Sequence, residues 1–520
     1  MSLDGDIGDD GGAGVDTRRP RYGIRGGEAG HRHVTTRQVL VLAIVATIGV
    51  RTASVASAVL LAVCVAGLVG TRRFVALAVV LAGLGALRSD QAWSSLAPDD
   101  VGPHLGWVRV VDDPQPYRAS TRVIVEIEGE RFEIWSRRRA QQLRLAEWRG
   151  GDWVAVSGLR VALDEARSRR VAWQHVVGEF RLDWASDVRA GGAVARASNR
   201  VRASIERAAT RLPGDDGRLF RGLVVGDDRD QPPEMIDRFR RSGLSHLTAV
   251  SGQNVSFLLA ASGPLLRRLR PGWRWATSLA LIAWFVALTR FEPSIVRAGV
   301  MASLSATAFV LGRERAPVRI LALAVIGLVL VDPLIAWSIG FWLSVGATLG
   351  VSSIGPWLAS RIATFDRSGI FALPLGVTLG AQIGVIVPSV LVFGRLPLVS
   401  IPANLLAVPV AGAVMLYGLP AGLVAGWCDP LASTLMFPAR MGTRWVDTVA
   451  VIGARIEPDP PAQFVGWGII ALVVAGLVVA RPTAQTPGHS GTDGSGDTAV
   501  GVGGGSAADS VPHGELPRDR

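Results

Sequence analysis

The chain has 520 residues, 49% of them hydrophobic, and its mean hydropathy of +0.34 excludes an ordinary soluble globular protein. Its net charge is +11 and every basic residue is arginine, which indicates a coding bias more than a nucleic-acid footprint. The two cysteines, Cys64 and Cys428, exclude a disulfide framework, and the seven scattered histidines offer no zinc ligand set, so no metal site and no cofactor are expected.

The N-terminal part predicts a tail followed by membrane anchors. Residues 1–37 are polar and glycine-rich, which is typical of a disordered tail. Apolar segments at 39–50, 53–70 and 74–87 predict up to three anchors within 38–89. The arginines Arg72 and Arg73 favour the cytoplasmic side, so a cytoplasmic N-terminus places the next domain outside the cell membrane.

Residues 90–197 change to the short alternating runs that are typical of half-buried strands. We predict strands at 107–111, 121–127, 131–135, 153–157 and 171–173, and a helix at 137–147. Five strands with one helix predict a small extracytoplasmic β-barrel of the oligonucleotide-binding (OB) type.

The predicted β-domain has two arginine clusters that are candidates for DNA contact, although surface arginines are more often only solvated. From 90 to 200 the chain has 17 arginines against 16 acidic residues, which is no electrostatic footprint. Four tryptophans could stack on bases, but their alternating positions favour the domain core. The clusters are Arg137, Arg138 and Arg139, and Arg169 and Arg170; the tryptophans are Trp107, Trp135, Trp153 and Trp173.

After amphipathic membrane-surface helices at 198–243, residues 244–480 predict a bundle of membrane spans. The segments are 244–262, 275–290, 293–312, 317–331, 334–357, 371–393, 398–426, 430–454 and 463–480. Their arginine-rich ends fall on the cytoplasmic side when the β-domain is outside. Segment 430–454 carries Arg440, Arg444 and Asp447, so an interfacial position is its alternative. Residues 481–520 predict a disordered cytoplasmic tail.

Several polar side chains in these apolar segments are candidates for a substrate path. Contiguous Ser251, Gly252, Gln253 and Asn254 predict a helix break beside hydrated space, or inter-helix hydrogen bonds. Gln382 and Asn404 have the same two interpretations. Arg297 is a candidate phosphate contact, with an ion pair to Glu292 or Asp332 as the alternative. We interpret the acidic residues Asp227, Asp228 and Asp230 as turn and cap residues.

Four ordered motifs resemble the ComEC family of competence proteins, over about residues 200–480. Each of the four motifs has a counterpart here. In chain order they are the family's GL..GD element with its membrane-entering segment, its PS..RA..M segment, its DP and GF.LS segments, and its later membrane segment. The counterparts are Gly222–Asp227 and Gly243–Val255; Pro293–Met301; Asp332–Leu334 and Gly340–Ser344; Gln382, Pro388, Phe393–Gly394 and Pro402–Pro409. The family often has Leu-His where this chain has Gln253-Asn254, which leaves no titratable group there.

The resemblance implies a polytopic α-helical membrane protein of about 10–12 transmembrane helices. It further implies a channel for single-stranded DNA in the cytoplasmic membrane, with both termini cytoplasmic and no enzymatic activity. Full-length members add a metallo-β-lactamase-like domain, so we expect a nuclease, a DNA receptor and a helicase to be separate proteins. Besides the lipid bilayer and DNA, a homo-oligomeric assembly is left open. The alternatives are a transporter of a smaller anion or metabolite, and a membrane enzyme, for which no nucleophile–base pair is recognised.

Overall fold

The structure is a computed structural model that describes residues 35–52, 54–68, 71–117, 119–248, 252–313, 316–364, 366 and 369–479. The two predicted tails lie outside these residues except at 35–37, where the first helix begins. Three helices come first: α1 (Thr36–Arg51), α2 (Val55–Gly67) and α3 (Arg72–Ser94). Thr35 caps α1 because its side chain accepts the Gln38 amide while the Gln38 side chain accepts the Thr35 amide. These helices occupy the three segments predicted as anchors, and α1 also packs against a later helix, α13 (Pro317–Val331).

The β-domain contains six strands, two short helices and a 3₁₀ turn. They are β1 (Gly102–Val110), β2 (Gln115–Tyr117), β3 (Ser120–Ile127), β4 (Glu130–Ser136), α4 (Arg139–Ala146), β5 (Trp153–Ala162), α5 (Glu165–Val171), the turn Ala172–Gln174 and β6 (Val176–Arg189). The order in the sheet is β1-β5-β6-β4-β3-β2. Strands β4 and β6 run parallel, and the other pairs are antiparallel. β1 also pairs with β3, through Val110 and Val125.

Two predictions for this domain are wrong. Residues 171–173 are not a strand: they end α5, which Asp164 caps at its start, and begin the 3₁₀ turn. The run was too short to define a period of two. The four tryptophans interpreted as core lie only partly buried at its margin. The buried tryptophan is Trp148, which packs with residues such as Phe132 and Phe180.

The rest of the described chain is helical. The elements are α6 (Ala193–Ala209), α7 (Asp215–Val225), α8 (Pro233–Arg241), α9 (Ser245–Thr248), α10 (Gly252–Leu266), α11 (Pro271–Leu288), α12 (Pro293–Val310), α13, the 3₁₀ turn Pro333–Trp337, α14 (Ile339–Leu349), the π-turn Gly350–Ile354, α15 (Gly355–Ile362), α16 (Ala372–Phe393), α17 (Ser400–Ala425), α18 (Asp429–Ile456) and α19 (Pro460–Val479). Proline occupies the first turn of α8, α11, α12, α13 and α18, where its missing amide costs nothing.

Apolar helices dominate this part, which is typical of a membrane protein. Among the described residues, five helical stretches are long and apolar enough to cross a bilayer, and three shorter apolar helices accompany them. The long stretches are Arg72–Ser94, Pro293–Val310, Ile339–Ile362, Ala372–Phe393 and Ser400–Ala425. Helices α6–α8, expected on a membrane surface, pack their apolar sides against α17 and α18, and residues such as Phe220, Phe239 and Met436 form a shared core.

Candidate functional site

A cavity of about 3270 Å³, called the polar cavity below, lies between the β-domain and the helices that follow it. One wall comes from the β-domain, and the opposite walls come from α8, α10, α12, α14, α16 and α17. Its lining contains 11 arginines and nine acidic residues, so its chemistry depends on where these charges lie and how they are paired rather than on a uniform field.

The β-domain wall combines arginines with aromatic rings. Its members are Arg109, Arg131, Trp153, Arg169, Arg170 and Trp173, which we call the basic-aromatic wall. Trp153 is 40% exposed because it begins β5 at the edge of the core. Arg169 and Arg170 reach the wall from the last turn of α5. The other predicted cluster, Arg137 to Arg139, is exposed at the start of α4 and does not line the cavity.

The helical walls contain five of the predicted path residues: Gly252, Gln253, Arg297, Gln382 and Asn404. The Gln382 Nε2 donates to the Ser400 hydroxyl at 2.9 Å, which joins α16 to α17. Asn404 is 9% exposed, and its Oδ1 accepts no hydrogen bond from the residues the structure describes. A buried amide oxygen that faces a cavity in this way is available to a ligand or to water.

Two members of the predicted polar stretch fall elsewhere. Ser251 lies outside the described residues. Asn254 is 4% exposed and turns away from the cavity, where its Nδ2 donates to the Leu223 carbonyl of α7 at 3.4 Å. Its neighbour Gln253 lines the cavity because consecutive helical residues point about 100° apart. Asn254 therefore has the structural role that was the alternative, an inter-helix hydrogen bond.

Arg297 lies in the first turns of α12 and is only 4% exposed, yet it lines the polar cavity. Its Nε donates to the Ser344 hydroxyl of α14 at 2.9 Å, its Nη2 contacts the same hydroxyl, and its Nη1 approaches the Met301 sulfur at 3.0 Å. It forms no ion pair with any described residue, including Glu292 and Asp332. Asp332 instead lies 3.1 Å from His175 of the β-domain.

A buried guanidinium without a carboxylate is energetically costly, because its charge has lost water and gained no counter-charge. The surrounding hydroxyl and sulfur provide only neutral acceptors. Gly252 allows this arrangement, since a Cβ there would lie 2.9 Å from the Ala298 Cβ and 3.2 Å from the Arg297 Nη2. Arg297 is therefore a fixed positive charge at the cavity surface, suited to an anion.

The junction between the β-domain and the helices has paired charges instead. Asp113 accepts from Arg202 of α6 at 2.9 Å and from Arg290 at 3.0 Å, and it also accepts the Gly150 amide at 2.9 Å. Burial alone would raise the pKa of Asp113, but the two guanidinium groups outweigh it and hold the pKa well below its usual range. Asp113 remains ionised and ties the β-domain to α6 and to the segment that follows α11.

Two residues of the acidic turn after α7 form ion pairs, as expected of turn residues. Asp227 accepts from Arg229 at 2.7 Å, and Asp230 accepts from Arg221 at 2.6 Å. No group of histidine, cysteine, aspartate or glutamate within the described ranges could hold a metal ion.

Three other carboxyl groups face the polar cavity beside this junction: Asp112, Asp228 and Glu292. Burial, followed by repulsion from Asp112 and Asp228, raises the pKa of Glu292 to about 7. Burial raises the pKa of Asp112 to about 6, and burial with the neighbouring Asp227 charge raises that of Asp228. The pKa values of Glu292 and Asp112 therefore lie in a range where ordinary carboxyl groups are fully ionised, and the pKa of Asp228 is shifted in the same direction.

Sequence reasoning missed the Asp113–Arg202–Arg290 junction and favoured the domain core for Trp153 and Trp173, which line the cavity. Asp112 and Asp113 precede Pro114, which is a turn signal, and the Asp113 partner Arg290 lies 177 residues away along the chain. A signal for the tryptophans existed, since each is followed or preceded by an arginine-rich segment, but alternation alone favoured the core.

Comparisons with known proteins find a matching family and several related proteins. The family described as "Competence protein" matches residues 223–482, which is half of the chain. ComE operon protein 3 of Bacillus subtilis is 30% identical over 216 residues, 41% of this chain and 27% of that protein. Competence protein ComA of Neisseria gonorrhoeae is 27% identical over 302 residues, 52% of this chain and 42% of that protein.

Uncharacterized protein YcaI of Escherichia coli is 25% identical over 226 residues, 40% of this chain and 29% of that protein. The chain thus spans less than half the length of these relatives, and no solved structure matches it. With half of its length matched and the predicted motifs in order, the chain belongs to the competence protein (ComEC) family.

Proposed function

We propose that this protein is a channel in the cytoplasmic membrane that conducts single-stranded DNA during natural transformation. The observation that carries the proposal is Arg297, a buried cation without a carboxylate partner at the surface of a large polar cavity. Guanidinium binds phosphate through two parallel hydrogen bonds, and every nucleotide of a passing strand offers a phosphate. The family membership supports DNA as the substrate.

The β-domain would receive the strand. Its ladder β1-β5-β6-β4-β3 returns to β1 through the additional β1–β3 pairing, which supports a closed OB-like barrel with β2 as an extra strand. The basic-aromatic wall offers rings for base stacking and arginines for phosphates, as single-strand binding surfaces do. Sequence-independent binding suits a channel that must accept any DNA.

The arginine distribution supports a β-domain outside the cell and both termini in the cytoplasm. Conduction requires no catalytic group, so we propose a non-enzymatic role. A DNA receptor, a helicase and a nuclease would be separate partners, and identical chains could assemble side by side.

Uptake of labelled DNA tests the function directly. A transformable strain that lacks this protein should take up no labelled strand into the cytoplasm, and the wild-type gene should restore uptake. Unchanged uptake in the deletion strain refutes the proposal.

A binding experiment on the full chain in lipid nanodiscs tests the wall. The variant with Arg169→Ala and Arg170→Ala should bind single-stranded DNA more weakly and reduce the salt slope by about 2. Its matched control, Arg137→Ala with Arg138→Ala, removes two arginines that do not line the cavity. Equal effects of the two variants would contradict a specific role for the wall.

A second candidate is transport of a smaller anion on the same fold. It is favoured by the near balance of 11 arginines and nine acidic residues around the cavity, which is a weak field for a polyanion. Flux of phosphate through liposomes containing the protein, with no competition by oligonucleotide, would favour this candidate over DNA.

A further inference from the structure

Helices α17 and α18 form a hairpin whose two ends lie together. The Glu457 carboxylate, just after α18, accepts the Leu398 amide at 3.0 Å and the Val399 amide at 2.9 Å, just before α17. The tip of the hairpin is the segment 426–428. The predicted spans 398–426 and 430–454 would make the pair two crossings of the membrane, with the tip on the side opposite to the ends.

The tip lies against α6. The Arg207 Nε of α6 donates to the Gly426 carbonyl at 2.9 Å, and Arg211 pairs with Asp429. One turn earlier, the Ser204 hydroxyl donates to the Leu423 carbonyl at 3.2 Å. The approach is close enough to need glycine, because a Cβ on Gly426 would lie 2.2 Å from the Ser204 carbonyl oxygen.

The same stretch of α6 is bound to the β-domain. Glu206 accepts from Arg149 of the β-domain at 2.9 Å, and Arg202 pairs with Asp113. Glu206 contacts the β-domain and Arg207 contacts the tip. The two residues are consecutive, so their Cα atoms are only about 3.8 Å apart. A tip on the other side of the bilayer would have to be separated from the β-domain by about 30 Å of hydrocarbon.

The charged residues of α18 also indicate that the hairpin stays on the side of the β-domain. Asp447 accepts from Arg238 of α8 at 2.7 Å, and Arg444 lies 3.1 Å from Asp216 of α7. These residues occupy the middle of α18, where a crossing helix would hold them at the bilayer centre. The α7 and α8 partners belong to the same connected body as α6.

The hairpin also has an apolar surface that no other described element covers. Its exposed large side chains include Trp427, Leu431, Phe437, Met441, Trp445 and Ile452. A helix with paired charges on one face and tryptophan and aliphatic residues on the other is suited to the interface between headgroups and acyl chains.

We infer that the α17–α18 hairpin does not cross the membrane but lies in the leaflet that faces the β-domain, with its apolar face on lipid. Residues 244–480 then cross seven times, through α10, α11, α12, α13, α14–α15, α16 and α19, and not nine times. The C-terminal side is unchanged, because two crossings are removed together. The start of α17, with Ser400 and Asn404, forms a wall of the polar cavity while the helix stays on one side.

The two natural cysteines make the test direct, since Cys428 is exposed at the tip. A Cys64→Ala variant, in which Cys428 is the remaining cysteine, is treated with a membrane-impermeant maleimide in intact cells and again after permeabilisation. Two references in a chain without native cysteines define the sides: Arg137→Cys in the β-domain, and Ser360→Cys at the far end of α14–α15, a stretch of 24 residues or about 36 Å.

We expect Cys428 to react under the conditions in which Arg137→Cys reacts. A reaction that follows Ser360→Cys instead would overturn the inference. Because the comparison is with the β-domain and not with a named compartment, the result does not depend on DNA transport or on which side the β-domain faces.

A cross-link decides the case if lipid shields Cys428 from both sides. Arg211→Cys with Asp429→Cys should be joined by a short bis-maleimide in membranes, since the native side chains pair. Arg211→Cys with Ser360→Cys is the matched control and should stay unjoined. Absence of the first cross-link, although each cysteine reacts after solubilisation, would overturn the inference.

Discussion

Arg202 and Arg297 are both buried, at 8% and 4% exposure, and both line the polar cavity, but their partners differ. Arg202 pairs with Asp113 at 2.9 Å and donates to two backbone carbonyls, so its charge is compensated within the protein. Arg297 has a serine hydroxyl and a methionine sulfur. The difference separates a charge that holds domains together from a charge that has no counter-charge among the described residues and that we propose for phosphate binding.

The largest expected effect is a loss of stability when the counter-charge of Arg202 is removed. Asp113→Ala leaves Arg202 and Arg290 buried without their carboxylate, so it should destabilise the fold by about 3–5 kcal/mol. Asp183→Ala, on the exposed edge of the same domain, is the matched control and should change stability by less than about 0.5 kcal/mol. Thermal unfolding in detergent measures both. Equal unfolding temperatures would mean that the junction does not hold the domains.

Arg297→Gln should reduce DNA uptake without reducing stability. Removing an uncompensated charge leaves stability unchanged or raises it. Loss of a charged hydrogen bond to phosphate, about 1.5–3 kcal/mol, should reduce DNA uptake roughly 10- to 100-fold. Uptake of labelled DNA and the unfolding temperature are measured on the same variant. A loss of stability like that of Asp113→Ala would assign Arg297 a structural role.

Two glycines of α10 sharpen the comparison further. Gly252→Ala places a Cβ 2.9 Å from the Ala298 Cβ and beside Arg297, so it should cost about 1–3 kcal/mol and reduce uptake. Gly263→Ala on the same helix meets nothing within 4 Å, and it should be neutral or stabilising by up to about 1 kcal/mol. Equal unfolding temperatures would show that α10 has room at Gly252.

The smallest effect concerns pH. The pKa of Glu292 is raised from 4.5 to about 7, so the folded protein holds a proton there that the unfolded chain has released. Its contribution to stability therefore falls as pH rises from about 4.5 to about 7, and Asp112 acts with the same sign up to about 6. Asp113, whose pKa is lowered, contributes with the opposite sign and only in acid.

Glu292→Gln should therefore flatten the decrease of the unfolding temperature that the wild-type protein shows between about pH 4.5 and about pH 7. The effect is modest because Glu292 faces the cavity and water screens its charge. Asp183→Asn is the control, since its side chain is exposed. A wild-type protein whose stability is constant over this range would contradict the assignment.

Much of the helical fold follows from local sequence. The predicted segment 371–393 corresponds to α16 (Ala372–Phe393), and 293–312 to α12, because long apolar runs that begin at proline or end at glycine leave little choice. Four of the five predicted strands are present for the analogous reason, a period of two. The three-residue run at 171–173 was too short for that signal, and it became a turn.

The local sequence did not predict the direction in which polar side chains point. Gln253 and Asn254 are neighbours of similar chemistry, but only Gln253 lines the cavity. Arg169 and Arg170 lie on the cavity wall, whereas the richer cluster at Arg137 does not. Composition identified all of these residues as candidates without distinguishing among them, because the distinction depends on which neighbour each side chain meets.

The sequence by itself determined the class of protein, the succession of elements and the family, since each of these depends on hydropathy, period and motif order along the chain. Only the tertiary structure decided which charges are compensated and which side the α17–α18 hairpin occupies. Those answers depend on contacts such as Arg207 with Gly426, 219 residues apart, or Arg290 with Asp113, 177 residues apart. Hydropathy shows that a helix avoids water, but the side on which it lies is determined by the residues that bind it.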